Sequence, residues 1–405
     1  MTVDIQGMFE QLAELGTAPR DGCSLFGAGN EIAYTQLREH FVFDRFSRGR
    51  SAEKFVVGPF GSGKTHFLRQ LMELGREHDC VTTEVQLNKN VDFTQSLVVF
   101  QEVARECRAP GKAHRGVAAL IQDAVERIRR KSEAEDLPSA DILRSWADGL
   151  ANRDFRSLAF GRVLKKAVHA HLDGDAAGVD LATRWLSGEV TVTVIAKAVG
   201  ESTMKQSQIK VHAQNARLSL FQFIKHAGYR GTIVGFDEAE QSMDVDKKRM
   251  AKIFSHLLSE VNALIDLPDG SALVLHAVTP DVMEKMALEM PMLMQRIADP
   301  APGQGFFDGN PFAVRINLAQ REDPALDLAR IGQRLLDAYV THMNALDDEA
   351  VAVLRVEVDR IAQEVASEEQ SSSARRLMVK RTCTLLMQIR TPKWATQPRV
   401  PEPEV

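Results

Sequence analysis

Short apolar runs alternate along this chain with longer stretches whose apolar positions recur every three or four residues. The first period marks strands and the second marks amphipathic helices. Ile5 to Leu15 reads as a helix and Gly16 to Gly22 as a loop. Glu31 to Phe46 has helical spacing, with Ile32, Leu37, Phe41 and Val42 on one side. Lys54 to Val57 is a short apolar strand that ends on glycine. A helix over Thr65 to Glu77 follows, with Phe67, Leu68, Leu71 and Leu74 inward, and Val81 to Leu87 alternates like a strand. Strand, helix, strand with a glycine-rich first turn predicts a parallel α/β sheet.

The pattern then changes. Thr94 to His226 is helical, broken near Ala109-Pro110-Gly111, Pro138, Asp173-Gly174-Asp175 and Gly200-Glu201-Ser202. So long a helical stretch is an insertion between sheet strands and not an ordinary crossover. Strand patterns return at Gly231 to Phe236 and at Ala272 to Val278, separated by a helix over Lys247 to Ile265. Phe312 to Leu318 alternates as a further strand, and Pro324 to Ile389 is helical again. The expected organisation is an N-terminal helical segment packing on the core (1–50), the first half of a nucleotide-binding core (51–108), a helical insertion (109–226) and the second half of the core (227–320). A helical lid (321–390) and a proline-rich irregular tail (391–405) complete it.

Composition narrows the class. With 44% hydrophobic and 26% charged residues the chain is globular, and its net charge of -5 shows no overall basic footprint for nucleic acid. Cys23, Cys80, Cys107 and Cys383 lack metal-ligand spacing and read as reduced thiols. The start of the chain has early acidic residues and no apolar run of signal-peptide type. No stretch of membrane-spanning length occurs, so a cytoplasmic protein without membrane contact is expected.

The chemistry concentrates at Gly58-Pro59-Phe60-Gly61-Ser62-Gly63-Lys64-Thr65, which fits G-x-x-x-x-G-K-[ST] between a strand and a helix. Small residues let successive backbone N–H groups turn onto phosphate oxygens, and the helix amino end faces the same anion. Lys64 would neutralise the β and γ phosphates and Thr65 would bind Mg²⁺, with His66 closing the binding set. Thr232-Ile-Val-Gly-Phe236 leads into Asp237 and Glu238. Asp237 would hold the Mg²⁺ shell and Glu238 would polarise the attacking water. Thr279, after the next strand, would either sense the γ-phosphate or cap the helix opening at Pro280; His276 would sit inside the strand. Arg296, Arg375 and Arg376 are candidates for stabilising transition-state charge. Asn88-Lys89-Asn90 lacks the Asp of a guanine-reading motif. A P-loop kinase and a scaffold that binds ATP without hydrolysing it are the rival readings. Lys205, Lys210, Arg217, Lys225 and Arg230 form a mildly basic stretch, read either as a DNA contact or as a solvated helix face.

Several segments resemble the ATP-binding protein of BREX-type phage-defence systems, the BrxD-like family. They are Leu15 to Pro19, Phe55 to Leu68, Arg184-Trp185-Leu-Ser-Gly188 and Ala227 to Glu240. The resemblance implies an AAA+-like P-loop ATPase core related to origin-recognition and signalling ATPases, using ATP and Mg²⁺. It implies a homo-oligomer, and a helicase, methyltransferase or nuclease as partner. It supports Lys64, Thr65, Asp237 and Glu238 in the roles given, Thr279 as first sensor, and Arg375 in Ser372-Ser-Ala-Arg375 as second sensor. It departs from the family at Gly29-Asn30-Glu31, where Gly-Arg-Glu is usual.

Overall fold

The computed structural model describes residues 3–239, 247–298, 301, 303–318, 324–343, 346–368 and 373–389. The expected tail 391–405, together with Glu240, Ser372 and residues 319–323 at the expected core–lid junction, lies outside the described residues. The chain separates into two compact units. One holds residues 32–58 and 74–317, the other residues 2–31, 59–73 and 318–405.

The first unit is built on five strands, β1 (Ala52–Val57), β2 (Cys80–Gln86), β3 (Gly231–Asp237), β4 (Ala272–Val278) and β5 (Arg315–Asn317). They lie in the order β2-β3-β4-β1-β5, and all four pairings are parallel. Every residue of β1, β3 and β4 is buried, as expected for parallel strands covered on both faces. The strand expected over Phe312 to Leu318 shortens to β5 because only Arg315 to Asn317 pair with β1. Just before it, the Lys54 ammonium takes the carbonyls of Pro311 and Ala313, so that backbone turns to a lysine instead of a neighbouring strand.

Helix α2 (Glu31–Leu37) continues into a π-helical stretch, Arg38–Arg45. The wider turns rotate the buried face relative to a regular helix. Leu37, Phe41 and Val42 are buried, but Ile32, expected beside them, is exposed. After β2 come α4 (Ser96–Glu106), α5 (Val117–Ala134), α6 (Ser139–Leu150), α7 (Leu158–Asp173), α8 (Ala176–Leu186), α9 (Thr193–Ala198) and α10 (Gln206–His226). The last of these is the pillar of the insertion. Its C-terminal half is buried around the whole circumference, and Ser219 and Gln222 there are satisfied by backbone. Ser219 Oγ accepts from Ser157 N (2.8 Å), and the Gln222 amide donates to Asp154 O (2.9 Å) and accepts from Arg156 N (2.9 Å). Helix α11 (Lys247–Ile265) precedes β4, and α12 (Pro280–Glu289) and α13 (Pro291–Ile297) follow it.

The second unit contains α1 (Ile5–Leu15), the start of α3 (Lys64–Glu77), and three long helices, α14 (Pro324–His342), α15 (Asp348–Glu368) and α16 (Ala374–Ile389). Of the segment expected as 1–50, helix α1 falls in this second unit. It buries Met8, Phe9 and Leu12 in a cluster with Leu335, Leu336, Tyr339, Cys383 and Leu386. The reason is local: Phe9 meets Tyr339 edge-on at 5.6 Å, and Gly16, at φ 62°, ends α1 where the Arg376 and Lys380 stems leave no room for a Cβ. Among the described residues no helix is long and apolar enough to cross a membrane.

Candidate nucleotide site

In the first unit, three adjacent strands end together. Val57 pairs with Val278, so Gly58 and Thr279 stand level, and their strands stay joined by Gly58 N to Val278 O at 3.1 Å. Phe236 pairs with His276, which brings the buried Asp237 to the same edge, two residues lower. Leu87 N donates to Asp237 O (2.9 Å), fixing the end of β3 against β2. Glu238 then takes φ 56°, in the left-handed region. A non-glycine residue held there costs on the order of 1 kcal/mol or more, and such strain concentrates at functional sites.

Thr279 is buried and stands at the N-cap of α12, yet its side chain makes no capping bond. Pro280 at the first helical position has no N–H to offer, and Val282 N and Met283 N bond to the Thr279 carbonyl. The Thr279 hydroxyl therefore has no hydrogen-bond partner among the described residues. An unpartnered buried hydroxyl is costly unless a ligand or water meets it, and the cap expected of this side chain is not made. His276 behaves in the opposite way. Its Nε2 contacts Glu53 Oε1 at 2.5 Å, and its ring stacks between Phe55 and Phe236 at 5.1 and 5.2 Å. It belongs to the core.

In the second unit, Gly61 and Gly63 adopt φ 79° and 91°, the conformations that turn the P-loop backbone inward. Ser62 N closes a tight turn on Pro59 O (3.2 Å), and Phe67 N bonds Gly63 O (2.8 Å) as α3 begins. The Lys64 ammonium lies 3.2 Å from Pro59 O and 5.3 Å from the centre of the exposed Phe60 ring. The Ser62 hydroxyl is buried with no hydrogen-bond partner among the described residues. Thr65 is half-buried one residue on, and His66 packs edge-on against Phe26 at 4.8 Å.

The same unit brings Arg375 to this loop. Its Nη1 donates to Ser62 O, and its Nε pairs with Asp327 Oδ2 at 2.9 Å. A Cβ on Gly63 would lie 3.6 Å from Arg375 Nη1. Arg376 points elsewhere, against Gly16 at the end of α1. Three residues the sequence pattern did not single out support the arrangement. Asp327 orients Arg375. Glu73 accepts from Cys23 N and Ser24 N, both at 2.8 Å, anchoring the loop before Gly29-Asn30-Glu31 to α3. Arg334 donates to Gly27 O and pairs with Glu31 at 2.6 Å, so an arginine does serve this loop, from α14 and not from position 30. None of the three has a local motif that would have announced it.

The remaining candidates are separated. Arg296 is exposed on the short helix α13. Of the basic stretch, Lys205 and Lys210 are exposed, but Arg217 is buried and ion-paired with Glu260, its pKa pushed down by burial to about 10. Lys225 donates to Phe46 O (2.8 Å), and Arg230 lies over Phe43 at 4.9 Å. The five do not form one surface, because α10 turns its C-terminal half into the core. The four cysteines are free and buried, and burial pushes Cys80 and Cys107 up to about 12, so neither thiol is reactive.

Glycines at positive φ and the open Ser62 hydroxyl suit a bound phosphate chain. Among the described residues no group of three His, Cys, Asp or Glu gathers to hold a metal alone. Mg²⁺ carried by a triphosphate needs only one or two protein oxygens. The model of one protein family, described as BREX system ATP-binding protein BrxC/D, matches residues 4–397. No match was found among curated proteins or solved structures. The chain belongs to that family, whose members are ATP-binding components of the BREX phage-defence system.

Proposed function

From that membership, we propose that the protein hydrolyses ATP with Mg²⁺ and passes the change of nucleotide state to other components of the defence system. The Thr279 hydroxyl carries the reading: it is buried at a strand end level with Gly58, at the edge where β3 ends in Asp237, and bonded to nothing among the described residues. The backbone N–H groups of Gly61 to Thr65 and the Lys64 ammonium bind the phosphates. Thr65 and Asp237 hold Mg²⁺, which when bound neutralises phosphate charge. Glu238 accepts a proton from the attacking water, and Thr279 donates to the terminal phosphate. Arg375, aimed by Asp327, adds positive charge at the P-loop. Helices α14 to α16 act as the lid that carries it, so binding and hydrolysis change the surface offered to partners. Arg296, exposed, serves the site of a neighbouring copy in a homo-oligomer.

Phosphate release by the purified chain with ATP and Mg²⁺, and no added acceptor, tests this reading. Steady release that Glu238→Gln abolishes while ATP binding persists is expected. Release only with an acceptor would make it a kinase. Binding without turnover, unchanged by Glu238→Gln, would make it a scaffold.

A further inference from the structure

Helices α10 and α11 run side by side in the same direction. Lys210 Nζ meets His256 Nε2 at 2.9 Å, the Gln214 amide reaches Ser259 Oγ at 3.4 Å, and Arg217 pairs with Glu260. Each helix leads into a strand, α10 into β3 and α11 into β4, and those strands are parallel neighbours. A helix that returns to the start of a parallel strand has its own start at the far end of the sheet. Both amino ends therefore face the edge where β2 and β3 finish. Arg249 near the start of α11 confirms this, donating to Lys89 O (3.3 Å) in the loop after β2.

This edge is dense in cations. Lys205, Lys210, Lys248, Lys252 and Lys89 are exposed there, with Arg249 half-buried among them. The first turns of α10 and α11 contain no acidic residue. Lysines at the positive ends of two long helices are electrostatically unfavourable in the protein alone. The charges act on one another: the pKa of His256 is held below the ordinary value by burial and then by Lys210 and Lys252. Two acids among the described residues of this group, Asp92 and Glu260, are engaged by Arg249 and Arg217. Burial works against the Asp92 carboxylate, but hydrogen bonds from Thr94 and Arg249 outweigh it and hold its pKa below the usual carboxylate range.

We infer that this surface, formed by the amino ends of α10 and α11 and the β2–α4 loop, docks the phosphate backbone of nucleic acid without regard to sequence. The side chains around the lysines favour that partner over a protein. Gln206, Ser207, Gln208 and Asn90 are exposed, and Val211 is the one exposed large apolar side chain among the described residues in the first two turns of either helix. Protein interfaces depend on buried aromatic or apolar anchors, whereas backbone docking uses dispersed cations and small hydrogen-bonding groups. The inference goes beyond ATP hydrolysis and does not depend on it. It also replaces the contiguous stretch along α10 with one face drawn from three elements, to which Arg217, Lys225 and Arg230 do not contribute.

The test is fluorescence anisotropy of the full chain with a labelled DNA duplex of arbitrary sequence, about 30 base pairs long, across a salt series. The parent is expected to bind at low salt and to weaken steeply as salt rises. Lys210→Glu with Lys248→Glu and Lys252→Glu should cut affinity at least about tenfold and lower the salt slope by about three. Reversing Lys131 and Lys197, exposed on α5 and α9, should change neither. Binding of a labelled ATP analogue, measured in parallel, should be unaffected by either set, so loss of DNA binding stays distinct from failure at the nucleotide site. If the charge-reversed variant melts early, the neutral Lys→Gln set is read in its place. No shift by the parent at low salt overturns the inference. So does a triple variant that binds as the parent does, and so does a parent that binds poly-glutamate in preference to the duplex.

Discussion

Strands β1 and β4 lie side by side and bury polar side chains at two levels. Along the strands, Glu53 and His276 face each other at 2.5 Å, walled in by Phe55, Phe93 and Phe236. At the strand ends, Thr279 is equally buried and its hydroxyl meets no partner among the described residues, while Glu238, after neighbouring β3, holds a left-handed backbone. Burial does not separate a structural polar group from a chemical one. What separates them is whether the protein supplies a first partner: Glu53 and His276 bond each other, though Glu53 Oε2 and His276 Nδ1 meet no partner among the described residues, and the Thr279 hydroxyl bonds nothing there.

The contrast breaks most readily at its chemical end. Glu238→Gln should lower ATP turnover about 10²- to 10⁴-fold, roughly 3–5 kcal/mol of barrier, with little change in melting. Turnover measured beside a thermal melt checks both halves of that statement. At the structural end, Glu53→Ala should do the reverse, costing about 3 kcal/mol of stability because His276 loses its buried partner. Denaturant unfolding reads it, and ATP affinity per folded molecule should hold.

Acid sharpens the comparison from a third place. Burial beside Trp185 pushes the pKa of His212 down to about 4. The unfolded chain, with an ordinary histidine pKa near 6.5, takes up this proton first. Stability is therefore present above about pH 6.5 and is lost as pH falls towards 4, by on the order of 2 kcal/mol from this group. Unfolding midpoints at pH 7 and pH 5 should differ less in His212→Gln than in the parent. Smaller still, Arg375→Ala should weaken ATP binding about tenfold, near 1.4 kcal/mol, and Arg376→Ala should leave it unchanged. Smallest is the stability effect of Thr279→Val. With no bond to lose, it should stay within about 0.5 kcal/mol of the parent while turnover falls.

Much of this was legible in the sequence. Ile5–Leu15, Lys247–Ile265 and Ala272–Val278 have the bounds that periodicity predicts, because Gly, Pro and charge changes mark their ends. The P-loop was legible because its chemistry is local in sequence. What failed was distant or geometric. Ile32 left its expected face because Ala33, Tyr34 and Leu37, at ordinary helical spacing, form the buried side of that turn. Arg217 read as surface charge because its partner, Glu260, lies on another helix. Asp327 and Arg334 carry no motif, and their relevance exists only once α14 is folded. For Thr279, a Thr-Pro pair fits a cap and a sensor equally well, and only the folded chain shows that its side chain makes no capping bond.

The pairing of α10 with α11 has a consequence for exchanging parts between related chains. By sequence the helical insertion is a detachable block ending at His226, just before β3. By packing it is not, because Arg217 would be stranded without Glu260 and Gln214 without Ser259. A cut at Gly200 keeps α10 with Glu260 and Ser259 but parts its Ser219 and Gln222 from Ser157, Asp154 and Arg156 in the segment between α6 and α7. Helix α10 therefore belongs to both sides at once, and recombination between relatives should conserve α10, α11 and the segment between α6 and α7 as one inherited set.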